Sequence, residues 1–419
     1  ALQSDSVRES VLYRTDEQAP FKEVGVSDYH SMIQPLGFVG NSTNSIYALS
    51  NQNRDKLALV EYDLAAAKEL QVIYANNTVD IAGNGYSALS KEMLFTGYTI
   101  DKPIKHYFNA TLAKHMERLG EKFPESNLDI LDVDSSLTKI IVKTITDNSS
   151  GAIYFYDSEA NRVELLAENN PKLHDQALAK KNPVSFQSRD GLTLHGYLTY
   201  PTGQEGQHNL PVVVLVHDGP GKRDLMDYDA EVQFLANRGY LVFQLNYRGS
   251  LGFGKEFWMA GFKEWGGKIQ TDMIDGVTWL IHQDIVDKDR VAIMGTGFGG
   301  YAALYGLTFN SSFYSCAISM SGYTNLFTYF REIPPYYQQY VQLYYSILGN
   351  PNKETELFKT ISPLFHADKV KRPVLFAQGG RDRFSSVNDA NQFVQRLKNN
   401  NVPVKYIYKE EEGRRFRTE

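Results

Sequence analysis

Arg290-Val291-Ala292-Ile293-Met294-Gly295-Thr296-Gly297-Phe298-Gly299-Gly300-Tyr301 decides the fold of the C-terminal part of this 419-residue chain. An apolar strand-like run ends in a turn holding four glycines, and an apolar helix-like run, Ala302-Ala303-Leu304, follows at once. A strand that passes directly into a helix is half of a crossover, and crossovers build parallel sheets. The neighbouring segments repeat the alternation. Upstream lie strands Val212–His217 and Tyr240–Asn246, then a helix over 268–284 that gathers Ile269, Met273, Val277, Leu280 and Ile281 on one face. Downstream come strand Cys316–Met320, a Tyr-rich helical insertion, strand Pro373–Gln378, helix Ser386–Lys398 and strand Pro403–Tyr408. The expectation is a doubly wound, mostly parallel sheet with helices on both faces and a site at the carboxyl ends of its strands.

Ahead of this region the pattern changes. Val184–Ser188 and Leu192–Tyr200 read as a hairpin joined by Arg189-Asp190-Gly191. Residues 1 to about 180 read as short strands with turn residues every 8–12 positions, as in Ser45–Leu49, Ala58–Tyr62, Lys139–Lys143 and Ala152–Tyr156. Blade-like units of roughly 40–45 residues fit that spacing. One helix is expected within it, over 107–119.

The glycine-rich turn has three readings. Gly295, Gly297 and Gly300 fit the G-x-G-x-x-G spacing of a dinucleotide site, but the turn comes late in the fold and positions 318–322 hold no acid to bind a ribose. The turn also fits G-x-S-x-G, the elbow that presents a nucleophilic serine, with Gly297 where serine belongs. The plain alternative is a packing turn. Bulk composition is globular: 42% hydrophobic, 22% charged, net charge −6. Such a balance gives no reason to expect nucleic-acid binding, and no apolar run reaches the roughly 18 residues of a membrane helix. The single cysteine, Cys316, excludes an internal disulfide. The chain begins at Ala1, which reads as a processed or trimmed start of a soluble protein, with cytoplasmic and periplasmic or secreted placements both open.

Four segments together resemble the catalytic domain of the prolyl oligopeptidase family, nearest its acylaminoacyl- and dipeptidyl-peptidase branches. They are His217-Asp218-Gly219-Pro220-Gly221, Asn246-Tyr247-Arg248-Gly249-Ser250 with Gly252 and Gly254, the elbow preceded by Trp265-Gly266 and Asp272, and Gln378-Gly379-Gly380-Arg381-Asp382. The resemblance implies an α/β-hydrolase domain over 181–419, preceded by an all-β partial propeller over 1–180 about half the usual size. It implies a serine peptidase acting on short peptides through a Ser–Asp–His triad, without metal or other cofactor. It assigns the triad aspartate to Asp382, the nucleophile position to Gly297 and the histidine position to Arg414. The oxyanion donors become the backbone N–H groups of Gly219 and Phe298. The family's fold normally closes with a helix after the histidine loop, whereas this sequence stops at Glu419, three residues beyond Phe416. All nine histidines lie at or before His366, so none follows Asp382. The sequence therefore reads as a peptidase relative inactive as written. The other reading is a pseudoenzyme kept as a peptide-binding or interaction module. Thr296, Ser250 and Ser321 are the nearest alternative hydroxyls, Tyr336 to Tyr345 is a lid or pocket wall, and an Arg414–Asp382 ion pair is expected.

Overall fold

The computed structural model describes residues 2–4, 8–173 and 176–416. Two compact units emerge: residues 2–178 with Leu225–Asp229 and Gly252–Glu256, and Ala179–Asp224 with Ala230–Leu251 and the stretch from Phe257 onward.

The first unit is four successive antiparallel meanders, the repeat of a partial β-propeller. They comprise β1 (Leu2–Ser4), β2 (Glu9–Tyr13) and β3 (Lys22–Ser27); β4 (Ile33–Phe38), β5 (Ser45–Ser50), β6 (Ala58–Asp63) and β7 (Lys68–Tyr74); β8 (Ile81–Ser87), β9 (Glu92–Thr99) and β10 (Pro103–Tyr107); and β11 (Asn127–Val133), β12 (Lys139–Ile145), β13 (Ala152–Asp157) and β14 (Arg162–Glu168). Each meander buries one face against the next. Val11 and Val24 pack with Ile46, Val60 and Tyr62, and Leu49 and Leu59 pack with Ile81 and Met93. Helix α1 spans Ala110–Lys122, three residues later than the sequence suggests. Tyr107 still belongs to β10, and Asn109 caps the helix by accepting the Leu112 N–H at 3.0 Å. Its inner stripe of Leu112, Met116 and Leu119 joins the core of the third and fourth meanders.

The second unit is an eight-stranded sheet in the order β15-β16-β18-β17-β19-β20-β21-β22. Its strands are β15 (Lys181–Gln187), β16 (Thr193–Thr199), β17 (Leu210–Val216), β18 (Leu241–Asn246), β19 (Val286–Thr296), β20 (Cys316–Met320), β21 (Val374–Gly379) and β22 (Val404–Lys409). Strand β16 pairs antiparallel with both β15 and β18, and every pairing from β18 to β22 is parallel. Helices are α2 (Ala230–Ala236), α3 (Lys255–Met259), α4 (Lys268–His282), α5 (Phe298–Phe309), α6 (Leu326–Arg331), α7 (Val341–Leu348), α8 (Thr355–Ile361) and α9 (Val387–Asn399). Of these, α2, α4, α5 and α9 pack on the sheet, and they cover both faces because alternate residues of the buried strands point to opposite sides. Val242 of β18 meets Val232 and Leu235 of α2, while Phe243 lies against Gly276 of α4. Ile269, Met273, Val277 and Leu280 of α4 are fully buried, each contributing about 1.5–3 kcal/mol. This is an α/β-hydrolase sheet. No helix among the described residues is long and apolar enough to cross a membrane.

Candidate active site

Parallel register brings the carboxyl ends of five strands to one edge. Val216 pairs with Gly295, Thr296 with Met320, and Gln378 with Tyr408. The loops leaving those ends carry Asp218 after β17, Gly297 after β19, Tyr323 after β20, Asp382 after β21 and Arg414 after β22.

Gly297 sits at the apex of a sharp strand-to-helix turn, with φ +60° and ψ −114°, a conformation that costs a side-chain-bearing residue about 1–3 kcal/mol. Gly299 answers a different demand: a Cβ there would lie 2.1 Å from the Val216 carbonyl oxygen, so only glycine lets α5 start this close to β17. The turn thus has the close-packed geometry of an elbow, and its apex points at Asp218. A Cβ on Gly297 would come 2.4 Å from Asp218 Oδ1 and 3.0 Å from Arg414 Nη1.

Asp218 is the centre of the site. Its Oδ1 accepts the backbone N–H of Gly219 at 3.0 Å and that of Phe298 at 2.9 Å. Its Oδ2 accepts Arg414 Nη1 at 3.0 Å and faces Lys222 Nζ at 3.5 Å. The start of α5 adds its positive dipole end to this nest of donors. The two N–H groups expected as oxyanion donors, those of Gly219 and Phe298, here both donate to the chain's own carboxylate, because an aspartate one residue before Gly219 reaches back over the loop.

The expected Arg414–Asp382 ion pair is present only as the longer of two contacts. Arg414 Nε stands 3.6 Å from Asp382 Oδ2 without a hydrogen bond, while the guanidinium bonds Asp218 and, through Nη2, the Tyr323 hydroxyl at 2.8 Å. Asp382, almost wholly buried, is satisfied elsewhere, by the Phe384 N–H at 2.9 Å and Ser385 Oγ at 2.7 Å. The guanidinium also lies 4.6 Å over the Phe384 ring. Burial works against the Arg414 charge, but Tyr323, Asp218 and Asp382 outweigh it and hold its pKa above the ordinary value. Tyr323 and Ser385 were not singled out in the sequence, since only the loop geometry brings them to these carboxylates.

A cavity of about 1050 Å³ opens beside this corner, walled by Trp258, Trp265, Tyr329, Tyr337, Tyr344 and Phe384 among others. Of the Tyr-rich insertion, Tyr337, Tyr340 and Tyr344 line the cavity, while Tyr345 stacks on Phe330. Thr296, Ser250 and Ser321 lie outside the lining. Ser250 does approach a histidine: His217 Nε2 is 3.0 Å from its Oγ. Yet Ser250 is fully buried, its hydroxyl donates to the Tyr247 carbonyl at 2.7 Å, and the His217 ring stacks on Tyr247. Burial pushes His217 down to about 4, so it is a neutral packing group.

Residues 226–419 match the model of the prolyl oligopeptidase family. That stretch is a prolyl oligopeptidase family domain. The chain is 33% identical over 387 residues to dipeptidyl aminopeptidase BIII of Pseudoxanthomonas mexicana, covering 89% of this chain and 55% of the relative. It is 28% identical to dipeptidyl peptidase family member 6 of Caenorhabditis elegans, covering 92% of this chain and again 55% of the relative. The chain thus spans about half the length of the curated relatives it matches. A puromycin-hydrolyzing peptidase of Mycobacterium tuberculosis superposes with a TM-score of 0.81 at 21% identity, covering 99% of this chain and 63% of that one, a likeness of fold. Both parts of the prolyl oligopeptidase architecture, propeller meanders and α/β-hydrolase sheet, are therefore present.

Proposed function

We propose that this chain descends from serine peptidases acting on short peptides, that its hydrolase unit does not run their acyl-transfer chemistry, and that its cavity holds short peptides without cleaving them. In this reading Gly297 stands at the nucleophile position and offers no atom for an acyl-enzyme. Arg414 stands at the base position, where a permanently protonated guanidinium cannot take a proton from a hydroxyl or from water. Asp382 keeps the place of the aspartate that would orient the histidine.

The observation that carries the reading is the seat of Asp218. Stabilising an oxyanion needs free donors aimed at the developing charge. Here Gly219 and Phe298 both donate to Asp218 Oδ1, and Arg414 holds the other oxygen. Any tetrahedral oxyanion would have to displace a carboxylate held by the chain itself and sit beside its negative charge. The cavity beside this carboxylate is of peptide-ligand size and carries aromatic side chains such as Trp258, Tyr337 and Phe384 on its walls.

The Ser250–His217 contact supports a second reading, a live hydrolase with a substitute dyad. Fluorophosphonate labelling followed by peptide mass mapping separates the two. The expected result is no adduct, together with calorimetric binding of an N-acetyl dipeptide that is recovered intact. An adduct on Ser250, or cleavage of the dipeptide that disappears in Ser250→Ala, would replace the binding reading with the catalytic one.

A further inference from the structure

The cavity walls carry five cationic residues, Lys222, Arg381, Arg383, Arg414 and Arg415, and three acidic ones, Asp218, Asp382 and Glu412. Their charges are not equally available. Arg414 and Lys222 answer Asp218, and the buried Asp382 accepts Phe384 N–H and Ser385 Oγ and has Arg414 Nε 3.6 Å away. Arg381 pairs with Glu411, and Glu412 is buried and engaged by its neighbours. Arg383 and Arg415 are exposed, and among the described residues neither has a hydrogen-bond or ion-pair partner. Their loops run side by side, tied by Gly380 N–H to the Lys409 carbonyl and Arg381 N–H to the Glu412 carbonyl, both at 2.8 Å. Two unused guanidiniums therefore stand on adjoining loops of one aromatic cavity, and no acidic group of that cavity is left for an ammonium.

From this asymmetry we infer that the cavity selects a ligand with a free carboxylate on an aromatic or apolar body, such as the C-terminal end of a short peptide, with Arg383 and Arg415 as its carboxylate receptors. The inference rests on the peptide-binding reading above and sharpens it. A guanidinium fork matches a carboxylate and supplies short charge-assisted hydrogen bonds. Tyr337 and Phe384, which meet edge to face at 5.5 Å, and Trp258 supply the apolar wall. The corner beside Gly297 offers the ligand no alternative seat, because Asp218 already fills it.

Trp258 and Trp265 both line the cavity, so intrinsic fluorescence can read binding. The probes are N-acetyl-diphenylalanine and its C-terminal carboxamide, titrated at low and at high salt. The acid should bind at least about tenfold more tightly than the amide at low salt, as expected for hydrogen bonds to charged groups, with the gap narrowing at high salt. In a variant carrying Arg383→Gln and Arg415→Gln, two exposed changes expected to leave the melting temperature unchanged, the acid should fall to the affinity of the amide. Equal affinity of acid and amide for the unaltered protein would overturn the carboxylate inference and leave peptide binding standing. A preference that survives in the double variant would overturn the assignment of Arg383 and Arg415 as the carboxylate receptors. If neither probe binds, both fail.

Discussion

The hydrolase unit sets two arginines between pairs of aspartates, and the two arrangements differ in how completely they are satisfied. Arg248 bonds Asp272 through its backbone N–H at 3.0 Å, Nε at 2.8 Å and Nη2 at 2.6 Å, and bonds Asp190 through Nη1 and Nη2 at 2.9 Å each. Its side chain is 4% exposed and that of Asp272 is fully buried. Arg414 is 22% exposed, bonds only one of its two aspartates, and leaves Nε 3.6 Å from the other. The cluster around Arg248 ties the turn after β18 to α4 and to the β15–β16 hairpin, so it is scaffold. The cluster around Arg414 borders a cavity, and its neighbours are loops. The same combination, one arginine and two aspartates, thus builds a lock in one place and a cover in the other.

The sharpest way to break this comparison is chemical repair. Gly297→Ser with Arg414→His supplies a nucleophile and a base but leaves Asp218 on both oxyanion donors, and no burst of fluorophosphonate or activated-ester acylation is expected. Adding Asp218→Gly frees both donors. Since removing one such donor costs about 10²–10³ in rate, the triple variant should acylate about a thousandfold faster than the double, or more. Equal rates would mean that Asp218 covers nothing that matters.

The scaffold side predicts a stability effect. Asp272→Ala leaves Arg248 buried with half its partners and should destabilise the hydrolase unit by about 3–5 kcal/mol in denaturant melts. Asp382→Ala should cost less, about 1–3 kcal/mol, because Arg414 keeps Asp218. A larger loss at Asp382 would reverse the assignment of lock and cover.

Much of this is legible in the residues alone. The strand–glycine turn–helix at 290–304 points to the parallel sheet because its periodicity is strong and local, and the absence of a histidine after Asp382 needs no alignment. Asp218 is visible as a charge in the wrong loop, but its seat is not, since that depends on where the N–H groups after β17 and at the start of α5 converge. The Arg414–Asp382 pair was read from a triad's layout. A guanidinium is longer than an imidazole, so Arg414 passes Asp382 and reaches Asp218 and Tyr323.

Acid separates the two regions further. His217, next to Asp218, is held neutral in the fold down to about pH 4, whereas in the unfolded chain it takes a proton near pH 6.5. Its folded pKa is depressed, so stability present above pH 6.5 is lost as pH falls toward 4, by about 3 kcal/mol. Arg248, followed by Ser188, holds the Asp190 carboxyl well below the usual range. Its contribution stays intact above the ordinary carboxylate pKa near 4 and declines only below it. Urea melts between pH 4 and 7 should lose their slope in His217→Gln, and a slope that persists would place the titrating group elsewhere.

A smaller effect sits at the elbow. Gly297→Ala meets both the positive φ and the Asp218 carboxylate, and should cost about 1–3 kcal/mol. In an Asp218→Gly background only the backbone strain remains, so the two changes should couple by about 0.5–1.5 kcal/mol in a double-mutant cycle. Strict additivity would show that the carboxylate yields freely and is not held by its donors.

The smallest effect tests the arginines directly. Lysine keeps the charge of arginine but gives up the planar fork and its five donors. At position 248 that exchange removes the planar fork that now makes four side-chain hydrogen bonds, and leaves the fully buried Asp272 with at most one point charge beside it, while Asp190 keeps Lys268 at 3.2 Å. At position 414 an ammonium can still meet Asp218 Oδ2, which also faces Lys222, while Gly219 and Phe298 go on holding Oδ1. What is lost is one bond to Tyr323, the 3.6 Å approach of Nε to Asp382 and the contact over the Phe384 ring, at the wall of an open cavity. Arg414→Lys should therefore cost about 1 kcal/mol or less, against several for Arg248→Lys, in parallel denaturant melts. Comparable losses would make Arg414 a scaffold arginine like Arg248, and the difference in their donor satisfaction would carry no functional meaning.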